Sequence, residues 1–131
     1  MRVLIDTHTF IWFVKDSGEI SSNARSLIVP PENDVFISIA SIWEISIKTT
    51  IGKLRLDGGF ERVLPDLIEN SIEILEITFA HTLKNNQLPF HHRDPFDRMI
   101  AAQAIVEGIH LVSIDDSFDP YFADTEVKRI W

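Results

Sequence analysis

Short apolar runs, separated by segments with helical boundaries, constrain this fold more than any other feature of the chain. Arg2-Val3-Leu4-Ile5, Val35 to Ile39, Ile72 to Ile77 and Ile109 to Ile114 are rich in β-branched residues and too short for helices, so they read as strands. A last strand is expected near Val127 to Trp131. Thr7 can cap a first helix through Phe10, Ile11 and Phe13, and Ser21-Ser22-Asn23 opens a second that stops at Pro30-Pro31. Ser38 or Ser41 can start a third, with Gly52 placed to end it. Phe60 to Asn70 reads as a helix interrupted by Pro65, and Phe79 to Asn86 as another. Pro95 to Glu107, rich in Ala and Ile and followed by Gly108, is the clearest helix. Strands alternating with helices imply an α/β fold, a three-layer sandwich with a mostly parallel central sheet. No repeat or linker divides the 131 residues, so a single domain over 1–131 is expected.

Composition narrows the chemistry. The chain has no cysteine, which excludes disulfide frameworks, thiol catalysis and Cys-type zinc sites. The longest uncharged apolar run, Val35 to Trp43, is nine residues, against the ~18–20 a membrane span needs. Met1 to Val14 has a leader-like apolar character that Asp6 and His8 interrupt. A cytoplasmic protein with no membrane partner is expected. Twelve basic against twenty acidic residues give a net charge of −8. Residues 1–60 carry six basic and seven acidic groups, residues 61–131 six and thirteen. Such a balance argues against a broad basic face for nucleic acid. It is compatible with a metal-loaded acidic site or a basic partner.

Ligands of open parallel sheets gather beyond the carboxyl ends of the strands. Two strands here end in aspartate, Asp6 and Asp115, and two further acids, Glu44 and Asp97, sit near helix starts. Right-handed crossovers bring strand ends and helix starts to one edge of the sheet, so the four acids are expected to converge. Like charges raise one another's pKa, and a divalent cation relieves the conflict. All-oxygen ligands favour Mg²⁺ or Mn²⁺, either of which can ionise a water beside a phosphate. Structural roles compete. Ser41-x-x-Glu44 is also a capping box, Asp94-Pro95 followed by Asp97 an N-cap with proline at N1, and Asp115 a cap for a short helix. Asp6 fits such a role least well, because a carboxylate directly after a buried strand needs a partner or an ion.

Val3-Leu4-Ile5-Asp6-Thr7-His8, Ser41-Ile42-Trp43-Glu44-Ile45, Asp94-Pro95-Phe96-Asp97-Arg98-Met99-Ile100-Ala101-Ala102-Gln103-Ala104 and Leu111-Val112-Ser113-Ile114-Asp115 resemble the PIN-domain ribonucleases. The nearest branch is the VapC-type toxins of toxin–antitoxin pairs, and the resemblance spans essentially the whole chain. It implies a PIN-like fold, metal-dependent RNA cleavage, a homodimer and inhibition by a cognate antitoxin. It also implies Asp6, Glu44, Asp97 and Asp115 as the catalytic, metal-binding set, with supporting hydroxyls at Thr7 and Ser113. Asp116 is a secondary candidate, since Phe118 puts Asp115 in register.

Arg93 and Arg98 flank Asp97 and can contact phosphates of a short single strand, with His91 and His92 beside them. Alternatively these arginines pair with Asp94 and Glu107, and the histidines lie on a loop. Trp12, Trp43, Phe36 and Phe79 read as core. Phe10, Trp12 and the segment Lys48 to Phe60 could otherwise form an apolar groove for an antitoxin helix. Two other functions compete with the nuclease: a non-catalytic PIN-like binding module, and a receiver-type phosphoacceptor domain. The receiver design needs an acidic pair after the first strand and an aspartate at a mid-chain strand end. This chain has neither.

Overall fold

The computed structural model describes residues 1–90 and 94–131. Five parallel strands form the sheet: β1 (Arg2–Ile5), β2 (Asp34–Ser38), β3 (Ile72–Leu75), β4 (His110–Val112) and β5 (Arg129–Ile130). Their spatial order is β3-β2-β1-β4-β5. The chain therefore winds outward from β1 in one direction, then returns to lay β4 on the other side. That reversal puts the switch point between β1 and β4, where doubly wound sheets open a crevice at the strands' carboxyl ends.

Both faces of β1 are covered, so its successive residues Val3, Leu4 and Ile5 are all buried. Val3 and Ile5 join Val35 and Ile37 under α1 (Thr7–Val14), α2 (Ser22–Ile28), α3 (Ile39–Thr50) and α4 (Val63–Glu69). Leu4 and Leu111 face α6 (Pro95–Glu107) and α7 (Asp119–Phe122), packing on Ile100, Ala101, Ala104 and Phe122. The alanines of α6 let this helix lie close against the sheet. α5 (Phe79–Gln87) packs against α6, and its His81, only 1% exposed, bonds Glu107 through Nε2 at 2.9 Å. Among the described residues no helix is long and apolar enough to cross a membrane.

Several local expectations are corrected. Asp6, not Thr7, caps α1, accepting from Thr9 N. Ser38 caps α3 through Ala40 N, so Ser41 lies inside the helix and Ser41-x-x-Glu44 is not its capping box. Pro65 falls in the first turn of α4, where its missing N–H has no helical acceptor to lose, so it interrupts nothing. Trp43 and Phe79 are not core: they are 62% and 81% exposed. α3 turns Ala40, Ser41, Glu44 and Ile45 inward, which leaves Trp43 on the outer flank. Trp12 and Phe36 are half-buried, and Phe10 is buried in the core at the floor of a cleft that Leu56 and Asp57 also line.

Candidate active site

Asp6 leaves β1 at the switch point and is 4% exposed. Its Oδ1 accepts from Thr9 N at 2.9 Å and from the Thr9 hydroxyl at 2.6 Å. Its Oδ2 accepts from Ser113 Oγ at 2.6 Å, a bond that spans from β1 to the end of β4. Burial pushes the Asp6 carboxyl above its ordinary range, and the hydrogen bonds from Ser113 and Thr9 act against that rise. Ser113 Oγ also accepts from Asp115 N at 3.0 Å, so one fully buried hydroxyl joins two of the candidate acids.

Glu44 sits in α3 with both oxygens engaged. Thr7 Oγ1 donates to Oε1 at 2.7 Å, and Lys48 Nζ, one turn later, donates to Oε2 at 2.7 Å. Asp97 lies in the first turn of α6, half-buried. Its carboxyl is pushed up to about 8, first by burial and then by the negative charges of Asp94, Glu44, Asp6 and Asp115. Asp97 thus feels the charges of its own helix cap, Asp94, and of acids from the end of β1, from α3 and from the loop after β4. Asp115 additionally caps the short 3₁₀ turn Asp116–Phe118, accepting from Ser117 N at 2.9 Å.

The remaining sequence candidates lie at the rim. Asp94 caps α6, accepting from Phe96 N at 2.8 Å and Asp97 N at 3.2 Å. Asp116 is exposed, and its charge acts on Arg129. Arg98 pairs with neither Asp94 nor Glu107 among the described contacts. It donates to the carbonyl oxygens of Asn85 at 2.7 Å and Pro89 at 3.0 Å, and lies over the Phe90 ring. Its guanidinium thereby ties the end of α5 and the following loop to α6. Arg93, His91 and His92 fall outside the described residues.

Three contributors were not singled out from the sequence. Thr9 is three residues after Asp6, the spacing at which an N-cap meets its helix. Lys48 is four residues after Glu44, the spacing of a helical ion pair. Arg129 donates to Ser113 O at 3.0 Å and pairs with Asp119 at 2.8 Å, a long-range contact that no local pattern announces.

The described acids whose charges act on Asp97, namely Asp94, Glu44, Asp6 and Asp115, offer carboxylate oxygens, a donor type that suits a hard divalent cation. Among the described residues no group of three or more Asp, Glu or His side chains is placed to hold a metal ion. The fit therefore rests on donor chemistry and on the mutual repulsion that raises Asp97.

The all-parallel sheet, with its switch point between β1 and β4, defines a doubly wound α/β domain. A family model of the PIN domain matches residues 3–121, and the chain belongs to that family. Solved structures share the fold. VapBC2 from Rickettsia felis, bound to a DNA fragment from its promoter, superposes with a TM-score of 0.73 at 18% identity, covering 99% of this chain and 98% of that one. VapBC-1 from nontypeable Haemophilus influenzae gives 0.68 at 15%, covering 99% and 97%. VapBC-5 from Mycobacterium tuberculosis, of the VapBC family of toxin–antitoxin systems, gives 0.65 at 19%, covering 98% and 97%. No curated protein sequence matches the chain.

Proposed function

We propose that this chain is a metal-dependent ribonuclease of the VapC type, the toxin of a toxin–antitoxin pair. The observation that supports the proposal is that the charges of Asp94, Glu44, Asp6 and Asp115 all act on Asp97 and, with burial, push its carboxyl up to about 8. Asp6, Glu44, Asp97 and Asp115 would hold Mg²⁺ or Mn²⁺. Such an ion supplies a water acidic enough to ionise near neutral pH and offsets charge on the phosphate. The protein's share is positioning. Ser113 and Thr9 orient Asp6, while Thr7 and Lys48 orient Glu44. Lys48 also gives the acidic edge one cation beside the incoming phosphate.

RNA cleavage by the wild type and by Asp97→Asn, each with Mg²⁺, Mn²⁺ or EDTA, tests the proposal. Cleavage confined to wild type with metal is expected. Cleavage undiminished by chelator and by the substitution would overturn it, and absence of cleavage in every condition would favour a binding module.

Two protein partners belong to the same reading. The net charge of −8 draws a basic antitoxin. An arginine of that partner can bridge two of the acids, as its planar fork permits. Ile42, Phe60, Val63, Leu64, Leu67 and Ile74 line an apolar recess of about 350 Å³ for an apolar segment of the same partner. A second copy suits the face formed by α3, α5 and the start of α6. There Phe79, Leu83 and Phe90 protrude beside a recess of about 420 Å³ whose walls include Trp43, Ile77, Phe96 and Met99. Protrusion and recess on one face are what a self-complementary two-fold contact needs.

A further inference from the structure

The sequence suggested an apolar groove beside Trp12 and Lys48. The cleft that forms there combines apolar walls, Ile11, Trp12 and Leu54, with three lysines. Its volume is about 400 Å³, within the range of small-ligand sites, and Thr7, His8, Trp12, Lys15, Lys48 and Lys53 line it. We infer that this cleft, between α1 and the end of α3, seats single-stranded RNA next to the acidic site, stacking a base on Trp12 and meeting its phosphates with Lys48 and Lys53. The inference rests on the nuclease reading and extends it to a substrate subsite.

Charge distribution supports the assignment first. In a chain of net charge −8, three lysines face this one cleft, against a single acid there, Glu19. Four of the other cations are engaged elsewhere, Arg25 with Asp16, Arg62 with Asp66 and Glu69, Arg129 with Asp119 and Arg98 with backbone carbonyls, while Lys48 within the cleft also pairs with Glu44. Lys15 donates to Arg55 O at 3.1 Å, which holds its ammonium at the cleft's edge, and Lys53 is exposed. Even with Lys48 paired to Glu44, the three lysines outnumber Glu19 and Glu44, and that excess of positive charge favours a polyanion in the cleft.

Aromatic geometry supports it second. Trp12 is half-buried and braced edge-on by Trp131, with ring centroids 5.9 Å apart. The exposed His8 ring lies 5.8 Å from it, tilted by 45°. A braced indole loses little freedom on receiving a base, and stacking accepts any base because every base has a π-face. Continuity with the acids comes third. Thr7 and Lys48 line the cleft and also hold the two oxygens of Glu44, so a strand seated there runs directly onto the carboxylates.

The test uses a short fluorescent single-stranded RNA and the full chain. Binding is followed by anisotropy in Mg²⁺ on the Asp97→Asn background, over a series of salt concentrations, and cleavage kinetics are measured with Asp97 intact. Lys53→Gln is expected to weaken binding several-fold and to reduce the slope of log affinity against log salt by about 0.7, the loss of one single-strand phosphate contact. It should raise KM more than it lowers kcat. Trp12→Leu should weaken binding about tenfold or more, with Trp12→Phe recovering most of the loss because a ring remains to stack on. Lys53 is exposed, so its variant folds even if truncating Trp12 disturbs the core.

Unchanged affinity and salt slope in Lys53→Gln would overturn the subsite. So would variants that keep RNA affinity but lose an antitoxin peptide, which would mark the cleft as a protein seat. The two levels separate cleanly. RNA bound through Lys53 but never cleaved would sink the nuclease reading alone, whereas normal cleavage with unchanged KM would sink the subsite alone.

Discussion

Replacing Ser113 by alanine removes one oxygen from a fully buried position, and its consequences can be worked out bond by bond. The hydroxyl donates to Asp6 Oδ2 at 2.6 Å and accepts from Asp115 N at 3.0 Å. A buried hydrogen bond to a charged group contributes about 1.5–3 kcal/mol net, and a neutral one about 1 kcal/mol. Asp6 can relieve part of the loss by taking up a proton, since its carboxyl is already raised by burial. A destabilisation of about 2–3 kcal/mol at neutral pH follows, which in a domain of this size lowers Tm by roughly 6–12 °C. The sign with pH is fixed by the same bond. Ser113 favours the ionised form of Asp6, so the cost of Ser113→Ala is largest at high pH and shrinks as pH falls through the Asp6 pKa. Calorimetric melting in EDTA across pH 5–8 measures this, and the acid limb of RNA cleavage should move to higher pH in the same variant. A Tm change below about 1 °C, or a cost that grows on acidification, would refute the assigned role of Ser113.

Asp97→Asn should abolish cleavage yet stabilise the metal-free protein at alkaline pH. The folded carboxyl, pushed up to about 8 from 3.8, makes the wild type lose stability as pH rises between those values, and asparagine should flatten that slope in denaturation curves. Saturating Mn²⁺ or Mg²⁺ should raise the wild-type Tm, by the equivalent of about 2.7 kcal/mol at one hundred times Kd, and EDTA should reverse it. A Tm indifferent to both ions would contradict the metal assignment. Arg98→Ala should cost about 1–3 kcal/mol by leaving the carbonyls of Asn85 and Pro89 without their donor. Arg98→Lys should recover only part, because one ammonium cannot reproduce the planar fork; full recovery in thermal melts would refute that geometry. Asp94→Asn and Asp116→Asn should keep most RNA cleavage, since Asn caps a helix nearly as well as Asp and Asp116 faces Arg129 instead of Asp97. Complete loss in either folded variant would move it into the catalytic set.

Much of the fold was legible because it is written locally. Apolar β-branched runs buried on both faces have no ambiguity of register face, and α6 carries its own start and stop in Asp94, Pro95 and Gly108. The helix boundary at Pro95–Glu107 was readable to the residue. The errors came where a side chain's surroundings depend on distant elements. Nothing local distinguishes Trp43 from Ile45, yet one is on the outer flank of α3 and the other in the core. Thr7 and Asp6 compete for one cap, and the winner is the residue that Ser113, 107 positions away, also holds.

The sequence by itself determined the order of strands and helices and the acidic balance, because propensity, capping and charge are properties of neighbouring residues. Only the tertiary structure decided that β1 and β4 lie side by side, so that Asp6 reaches Ser113 and the field of Asp97 includes acids from three separate segments. It alone decided that Lys15, Lys48 and Lys53 gather with Trp12 in one cleft. The physical reason is range: hydrogen bonds and burial act over a few ångströms of space, and chain folding, which no local pattern encodes, sets which residues share those ångströms.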